Sequence, residues 1–366
     1  MRIREIKLRN FRNYETCSLE LYKGVNLFTG NNAQGKTNLL ESLVYLSLTR
    51  SFRINDDKKL IRIGCPFADI RCICEKKGKQ KELEAVIHHK GKTLLCDKVP
   101  MQKSSEFVGI LNVILFSPDD IILFQDSPSE RRKVMDQEIS KISIKYLEAM
   151  NQYRKLLKQR NLVLKKKEPD RIFLETLTKQ MSVLEAKIIA NRIDFCKVIN
   201  DNIDFYYQKI ADDPSVHLTV AYKTCFKEFG EKQIMDQHLS LLEKDIEQRV
   251  TSIGVHREDI CFFLNGKNII ETASQGQKRM AMLAFKLSLN AYIRNKTNED
   301  AVLLLDDVLS ELDNDKQKRL LALVSNSSQC LITATHIPEL MKNERMREFH
   351  VVNGTIRQED LNERNG

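Results

Sequence analysis

The sequence predicts an α/β fold: a phosphate-loop (P-loop) NTPase head with mixed and antiparallel sheets, interrupted by an inserted α-helical hairpin domain. Three observations carry this. Gly30-Asn31-Asn32-Ala33-Gln34-Gly35-Lys36-Thr37 fits G-x-x-x-x-G-K-[ST], between the apolar strand pattern Val25 to Thr29 and a helix with an apolar stripe from Leu39. Ala301 to Leu305 is an apolar run that ends in Asp306 and Asp307. Between these motifs, residues 133–210 switch to helical spacing. The expected division is 1–116 as the N-terminal part of the head, 117–212 as a helical arm and 213–366 as the C-terminal part of the head.

Taken in order, residues 1–29 read as strands, with Leu8-Arg9-Asn10-Phe11-Arg12-Asn13-Tyr14 a basic turn beside an aromatic pair. That turn lies one hairpin from the phosphate loop, so Arg9 and Arg12 are candidates for contacting base, ribose or phosphates. In the loop, Gly30 and Gly35 let the backbone wrap closely, and Asn31, Asn32, Ala33 and Gln34 supply N–H groups that can face phosphate oxygens. The following helix presents its positive end. Lys36 is expected on the β- and γ-phosphates and the Thr37 hydroxyl on Mg²⁺. Residues 47–116 read as an antiparallel layer with turns at Lys76-Lys77-Gly78-Lys79 and Lys90-Gly91-Lys92, closing on the buried strand Val113 to Phe116.

Ile139, Ile142, Tyr146, Ala149, Tyr153 and Leu156 then follow 3 and 4 steps. Lys165 to Asp170 breaks the helix. Leu177, Met181, Leu184, Ile188, Asn191, Phe195, Val198, Asn202 and Phe205 resume the pattern. This predicts an antiparallel, coiled-coil-like hairpin, with Asn191 and Asn202 setting its register. Residues 215–270 return to strands around a short helix near 233–249. A helix over 275–295, a strand over 301–305, a further helix and a strand over 330–335 complete the pattern.

Composition narrows the class. The chain has 366 residues, 42% of them hydrophobic. Mean hydropathy is −0.38, and no apolar run approaches the length of a membrane span. Met1 to Lys7 alternates as a strand and lacks a signal-peptide core. A soluble cytoplasmic protein with no membrane partner is expected. The nine cysteines are odd in number, and Cys65, Cys72, Cys74 and Cys96 lack C-x₂-C spacing, so reduced thiols are expected. Residues 131–167 hold 12 Lys/Arg against 3 Asp/Glu, which equals the net +9 of the whole chain. A concentrated basic segment suggests a polyanionic partner, most simply DNA, with Arg131, Arg132, Lys165, Lys166 and Lys167 as candidate contacts; a solvated helix face is the plainer alternative.

The apolar strand ending in Asp306-Asp307 suits a neighbour of the strand that feeds the phosphate loop. Asp306 is expected to hold Mg²⁺ through water, and Asp307 to polarise the attacking water near the γ-phosphate. Ser274-Gln275-Gly276-Gln277, set at a helix start, resembles the S-G-G-Q signature of the ATP-binding-cassette superfamily. The resemblance implies that these four residues bind the γ-phosphate of ATP held by a second subunit. It implies further that Ser310-Glu311-Leu312-Asp313 is a dimer-contact loop, with Asp313 at the contact, and that His336 is a switch histidine.

Motif order and spacing resemble the RecF family nearly end to end. The resemblance covers Leu8 to Tyr14, the phosphate loop, Phe116-Ser117-Pro118-Asp119-Asp120 and Ser127-Pro128-Ser129-Glu130-Arg131-Arg132. It continues through Gly254-Val255-His256-Arg257-Glu258-Asp259 and Ser274 to Gln277, and ends in Leu305 to Asp313. Val255 departs from an expected Pro, and the family usually has Thr or Ser near His336. The resemblance implies a head close to those of SMC-type proteins, an arm, ATP and Mg²⁺ as cofactors, and an ATP-dependent homodimer on DNA. It also implies cooperation with RecR and RecO in loading RecA at gaps, slow hydrolysis that resets the clamp, and association with the nucleoid. An SMC-type ATPase or a transporter ATPase subunit would share the head motifs, but the first needs a far longer coiled coil and the second a signature nearer the loop.

Overall fold

Ile3, Ile6, Leu8 and Phe11 form one buried face of β1 (Arg2–Phe11). The step from Ile3 to Ile6 breaks strict alternation, and a register shift between Ile3 and Glu5 supplies the extra residue. The computed structural model describes residues 1–125, 127–325, 329–338, 341 and 346–359. After β1 come β2 (Tyr14–Glu20), β3 (Val25–Thr29), α1 (Lys36–Leu48), β4 (Phe67–Lys76), β5 (Lys79–His88), β6 (Gly91–Cys96), β7 (Val99–Pro100), α2 (Ser104–Phe107) and β8 (Val113–Phe116). Next are α3 (Pro128–Ile142), α4 (Ile144–Leu164), α5 (Arg171–Ala211), β9 (Leu218–Lys223), α6 (Glu231–Ser240), α7 (Leu242–Gln248), β10 (Asp259–Leu264), β11 (Lys267–Asn268) and α8 (Ile269–Thr272). The order ends with α9 (Gln275–Thr297), β12 (Val302–Asp306), α10 (Asn314–Ser325), β13 (Cys330–Ala334), β14 (Met346–Val352) and β15 (Thr355–Glu359).

The chain divides into two compact units. The head comprises Met1–Ile121, Phe205–Ser215 and Arg279–Gly366. It holds an antiparallel sheet of order β2-β1-β4-β5-β6-β7 and a mixed sheet of order β15-β14-β3-β13-β12-β8. In the mixed sheet β14, β3, β13, β12 and β8 run parallel, and only β15 is antiparallel. Every residue of β12 and β13 is buried, as the continuous apolar runs of a covered parallel sheet require. Helix α1 touches β4 and β5 of one sheet and β8, β12 and β13 of the other. It is accordingly apolar on several faces, with Leu39, Leu40, Leu43, Val44, Tyr45 and Leu46 all buried. The helix that follows the phosphate loop is therefore the core of the head.

The second unit comprises Ile122–Asp204 and Val216–Lys278. Arg160 of α4 donates to Thr178 of α5, and Arg192 of α5 donates to Tyr146 of α4. A step of 14 residues back along α4 matches 14 forward along α5, which makes the pair antiparallel. The grouping differs from the expected division. Val216–Lys278 belong with the helices because Arg131 pairs with Asp259, Arg192 with Glu258, and Asn200 with the Val220 backbone. Asn191 and Asn202 do not set the register; each donates to a carbonyl of its own helix, at Lys187 and Val198. Buried arginines link the two helices instead, Arg160 to Thr178 and Arg192 to Tyr146. Arg160, with no exposed surface, donates to Asp245 at 2.7 Å and Thr251 at 2.8 Å. Loss of these partners would leave such a charge buried and unpaired. Among the described residues no helix is long and apolar enough to cross a membrane.

Candidate nucleotide site

The parallel strands deliver the site to one edge of the mixed sheet. Thr29 ends β3 at the phosphate loop, Asp306 ends β12, and Phe116 ends β8 opposite Leu305. Ligand clefts form outside the carboxyl ends of such strands. Here the cleft measures about 530 Å³ and is lined by Asn32, Ala33, Gly35, Lys36, Thr37, Asn38, Phe52, Arg53, Ser117, Pro118, Asp119, Asp306 and Asp307.

The loop's backbone explains its residues. Gly30 and Gly35 take φ of 142° and 121°, where a side chain is strained, and Ala33 sits in the left-handed region at 64°. A methyl group on Gly30 would stand 2.3 Å from the Val351 carbonyl oxygen. Lys36 is buried, and its ammonium donates to the Gly30 carbonyl and, at 3.0 Å, to the Asn31 carbonyl. Burial lowers its pKa, while Asp307 and Asp306 pull the other way. Thr37 Oγ1 donates to Asp306 Oδ1 at 3.0 Å, and Thr333 Oγ1 donates to the same oxygen at 2.9 Å. Burial raises the Asp306 carboxyl above its ordinary value, against those two hydrogen bonds. Asp307 holds a left-handed φ of 53°, fixed by its N–H donating to Thr333 Oγ1 at 3.0 Å. A helix N-terminus, an ammonium, a hydroxyl and two carboxylates thus share one cleft. That donor set fits a polyphosphate and a hard dication.

Other expected site residues stand elsewhere. Arg9 is exposed, lies over the Phe67 ring at 5.3 Å and lines a different recess. Arg12 binds the buried Glu41 of α1 through two hydrogen bonds of 2.8 Å. Neither lines the cleft. His336 follows β13, exposed, with its ring against the Thr335 hydroxyl at 3.0 Å, and is not part of the lining.

Ser274 immediately precedes α9, and its N–H donates to Gln277 Oε1 at 2.9 Å while Gln277 N–H donates back to Ser274 Oγ at 3.3 Å. These reciprocal bonds form a capping box. Ser274, Gln275 and Gly276 are exposed and Gln277 is half-buried. Asp313 likewise caps α10, accepting from Lys316 N–H at 2.9 Å, and is exposed.

In the second unit, Lys165, Lys166 and Lys167 are exposed at the turn between α4 and α5. Arg131 is not a surface cation. Its side chain is buried and pairs with Asp259 through two hydrogen bonds, of 2.9 and 2.8 Å. Arg132 is half-buried and donates to the Glu258 carbonyl at 2.6 Å. Counting charge along the chain missed these pairs because their acceptors lie more than a hundred residues away.

Phe52, Arg53 and Ser117 to Asp119 line the cleft but had no assigned role in the sequence. Arg53 donates to Asn38 Oδ1 at 3.0 Å. An aromatic-basic pair shortly after the phosphate-loop helix, past Thr49, Arg50 and Ser51, is the signal that marks Phe52 and Arg53.

A family model described as RecF/RecN/SMC N terminal domain matches residues 2–358. The DNA replication and repair protein RecF of Enterococcus faecalis is 37% identical over 370 residues, 97% of this chain and 98% of its own. That of Ligilactobacillus salivarius is 35% identical, over 98% of each. A solved structure of "the recombination mediator protein RecF-ATPrS in RecFOR pathway" matches with a TM-score of 0.90 at 31% identity, over 98% of each chain. A Smc head domain from Pyrococcus furiosus, bound to the C-terminal domain of ScpA, matches at a TM-score of 0.58 and 16% identity. It covers 98% of this chain and 95% of that one, a likeness of fold.

Proposed function

This chain belongs to the RecF family, and on that premise we propose that it is an ATP-dependent DNA-binding clamp of recombinational repair. The observation that carries the reading is the shared cleft of Lys36, Thr37, Asp306 and Asp307 at the carboxyl edge of the mixed sheet. Gly30 to Thr37 bind the phosphates of ATP. Thr37 and Asp306 would hold Mg²⁺, which supplies charge neutralisation to the phosphate oxygens. Asp307 orients water for attack. Ser274 to Gln277 of one copy act on ATP held by another, Asp313 lies at the contact, and His336 serves as the switch.

ATP thus closes a homodimer on DNA at gaps and at single-strand/double-strand junctions, and slow, DNA-stimulated hydrolysis releases it. Lys165, Lys166 and Lys167 supply sequence-independent phosphate contacts. RecR and RecO are the protein partners, RecA loading at gaps the output, in replication restart and the SOS response as well as repair. The protein works in the cytoplasm, at the nucleoid. The relatives named for RecF and the RecFOR pathway support this reading.

Sedimentation of the full chain with and without ATP and gapped DNA tests it. A dimer that forms only with ATP and persists on DNA is expected. A monomer under all conditions would overturn the clamp.

A further inference from the structure

The turn between β1 and β2 grips the outside of the phosphate loop. Asn13 Nδ2 donates to the Gln34 carbonyl at 2.9 Å, and the buried Tyr14 hydroxyl donates to the Gly35 carbonyl at 2.9 Å. Asn13 Oδ1 in turn accepts from Asn38 Nδ2, in the first turn of α1, at 2.8 Å. From the other end of the chain, the turn between β14 and β15 holds the same peptide. Gly354 N–H donates to the Gln34 carbonyl at 2.9 Å, and Asn353 N–H donates to Gln34 Oε1 at 2.7 Å. The fit leaves no room for a methyl group. A Cβ on Gly35 would stand 2.8 Å from Asn13 Nδ2, and one on Gly354 would stand 2.4 Å from the Asn13 carbonyl oxygen.

A trans peptide points its C=O and its N–H in opposite directions. The Gln34 carbonyl is held by Asn13 and Gly354, and the Gly35 carbonyl by Tyr14 together with the Leu39 N–H of α1 at 3.0 Å, so the N–H groups of Gly35 and Lys36 point the opposite way. We propose that Asn13, Tyr14 and the Asn353–Gly354 turn are positioning residues that pre-set these two N–H groups for phosphate. The proposal rests on the cleft being the nucleotide site. A loop ordered before binding spares the ligand the cost of ordering it. The clamp acts on ground-state binding of phosphate, so its loss raises KM and leaves turnover at saturation in place. A scaffold role alone would reduce the folded fraction, lowering kcat and the unfolding midpoint while KM stays put.

The test is Tyr14→Phe, which removes one hydroxyl, and the double variant Asn13→Ala/Tyr14→Phe, in the full chain. KM and kcat for Mg-ATP are measured beside the nucleotide-free unfolding midpoint. Tyr14→Phe should raise KM about fivefold and the double variant about twentyfold, each hydrogen bond costing roughly one such factor. kcat should stay within about twofold. Unchanged KM, or a fall in kcat at constant KM, overturns the clamp. Gly354→Ala provides a check from the other side and should raise KM in the same manner. Lys36→Ala separates the two levels of the argument. If it binds ATP as the wild type does, the nucleotide-site reading falls. If it fails to bind while the Tyr14 and Gly354 variants bind normally, only the clamp falls.

Discussion

Thr37 Oγ1 and Asp306 Oδ1 share a hydrogen bond of 3.0 Å that ties the first turn of α1 to the end of β12. The carboxylate is buried, and burial raises its pKa. Such a charge is destabilising until a cation meets it. Asp306→Asn should therefore raise the unfolding midpoint without Mg²⁺, while cutting Mg²⁺-dependent ATP turnover by about a hundredfold or more. Turnover that keeps its wild-type Mg²⁺ dependence would remove Asp306 from the metal site.

Asp307 is placed by strain as much as by sequence, its left-handed φ held by Thr333. Asp307→Asn keeps the size and removes the base. Turnover should fall by a factor of about 10² to 10⁴, and the ATP-bound dimer should persist longer on DNA. Wild-type turnover would mean that another group orients the water.

The basic segment splits into two classes that experiment can tell apart. Reversing the exposed Lys165, Lys166 and Lys167 to Glu should weaken DNA binding and flatten its dependence on log salt. Arg131→Ala should leave that salt slope in place and destabilise the fold by about 3 kcal/mol, because it strands the carboxylate of Asp259. If the lysine reversal leaves affinity untouched, the turn is a solvated surface.

Buried Glu258 and half-buried His256 of the second unit set opposing pH dependences. Burial pushes Glu258 up to about 7, against the pull of Arg192, and pushes His256 down to about 4. Between pH 4.5 and 7, folded Glu258 keeps a proton that the unfolded chain has released, so stability falls as pH rises. Between pH 4 and 6.5 the unfolded chain protonates His256 and the fold does not, so stability falls as pH drops. Glu258→Gln should make stability climb with pH across the shared window, relative to wild type. His256→Asn should make it decline. Urea midpoints at three pH values decide this, and parallel profiles for all three proteins would refute it.

What the sequence made legible follows from what is local. The glycines of the phosphate loop announce positive φ, and β12 and β13 announce burial on both faces through unbroken apolar runs. The hairpin of α4 and α5 follows from 3 and 4 spacing. Long-range pairing left no such trace. Arg12 looked free because Glu41 is 29 residues away, and Arg192 meets Glu258 across 66. Asn191 and Asn202 have a spacing that suits register control, but a carbonyl four residues back in the same helix satisfies each amide. The grouping of the chain into two compact units differs from the expected division for the same reason. Strand patterns in 216–270 suggested the head, whereas buried ion pairs join them to helices.

The Gly354 contact also orders events in time. Gln34 and Asn353 stand 319 residues apart, yet one grips the other. During synthesis the entire G-x-x-x-x-G-K-[ST] motif leaves the ribosome long before its far wall does. A nascent or truncated chain carries the signature of a nucleotide site without its completed cradle. Until β14 and β15 have emerged, the Gln34 carbonyl has Asn13 as its partner but not yet Gly354.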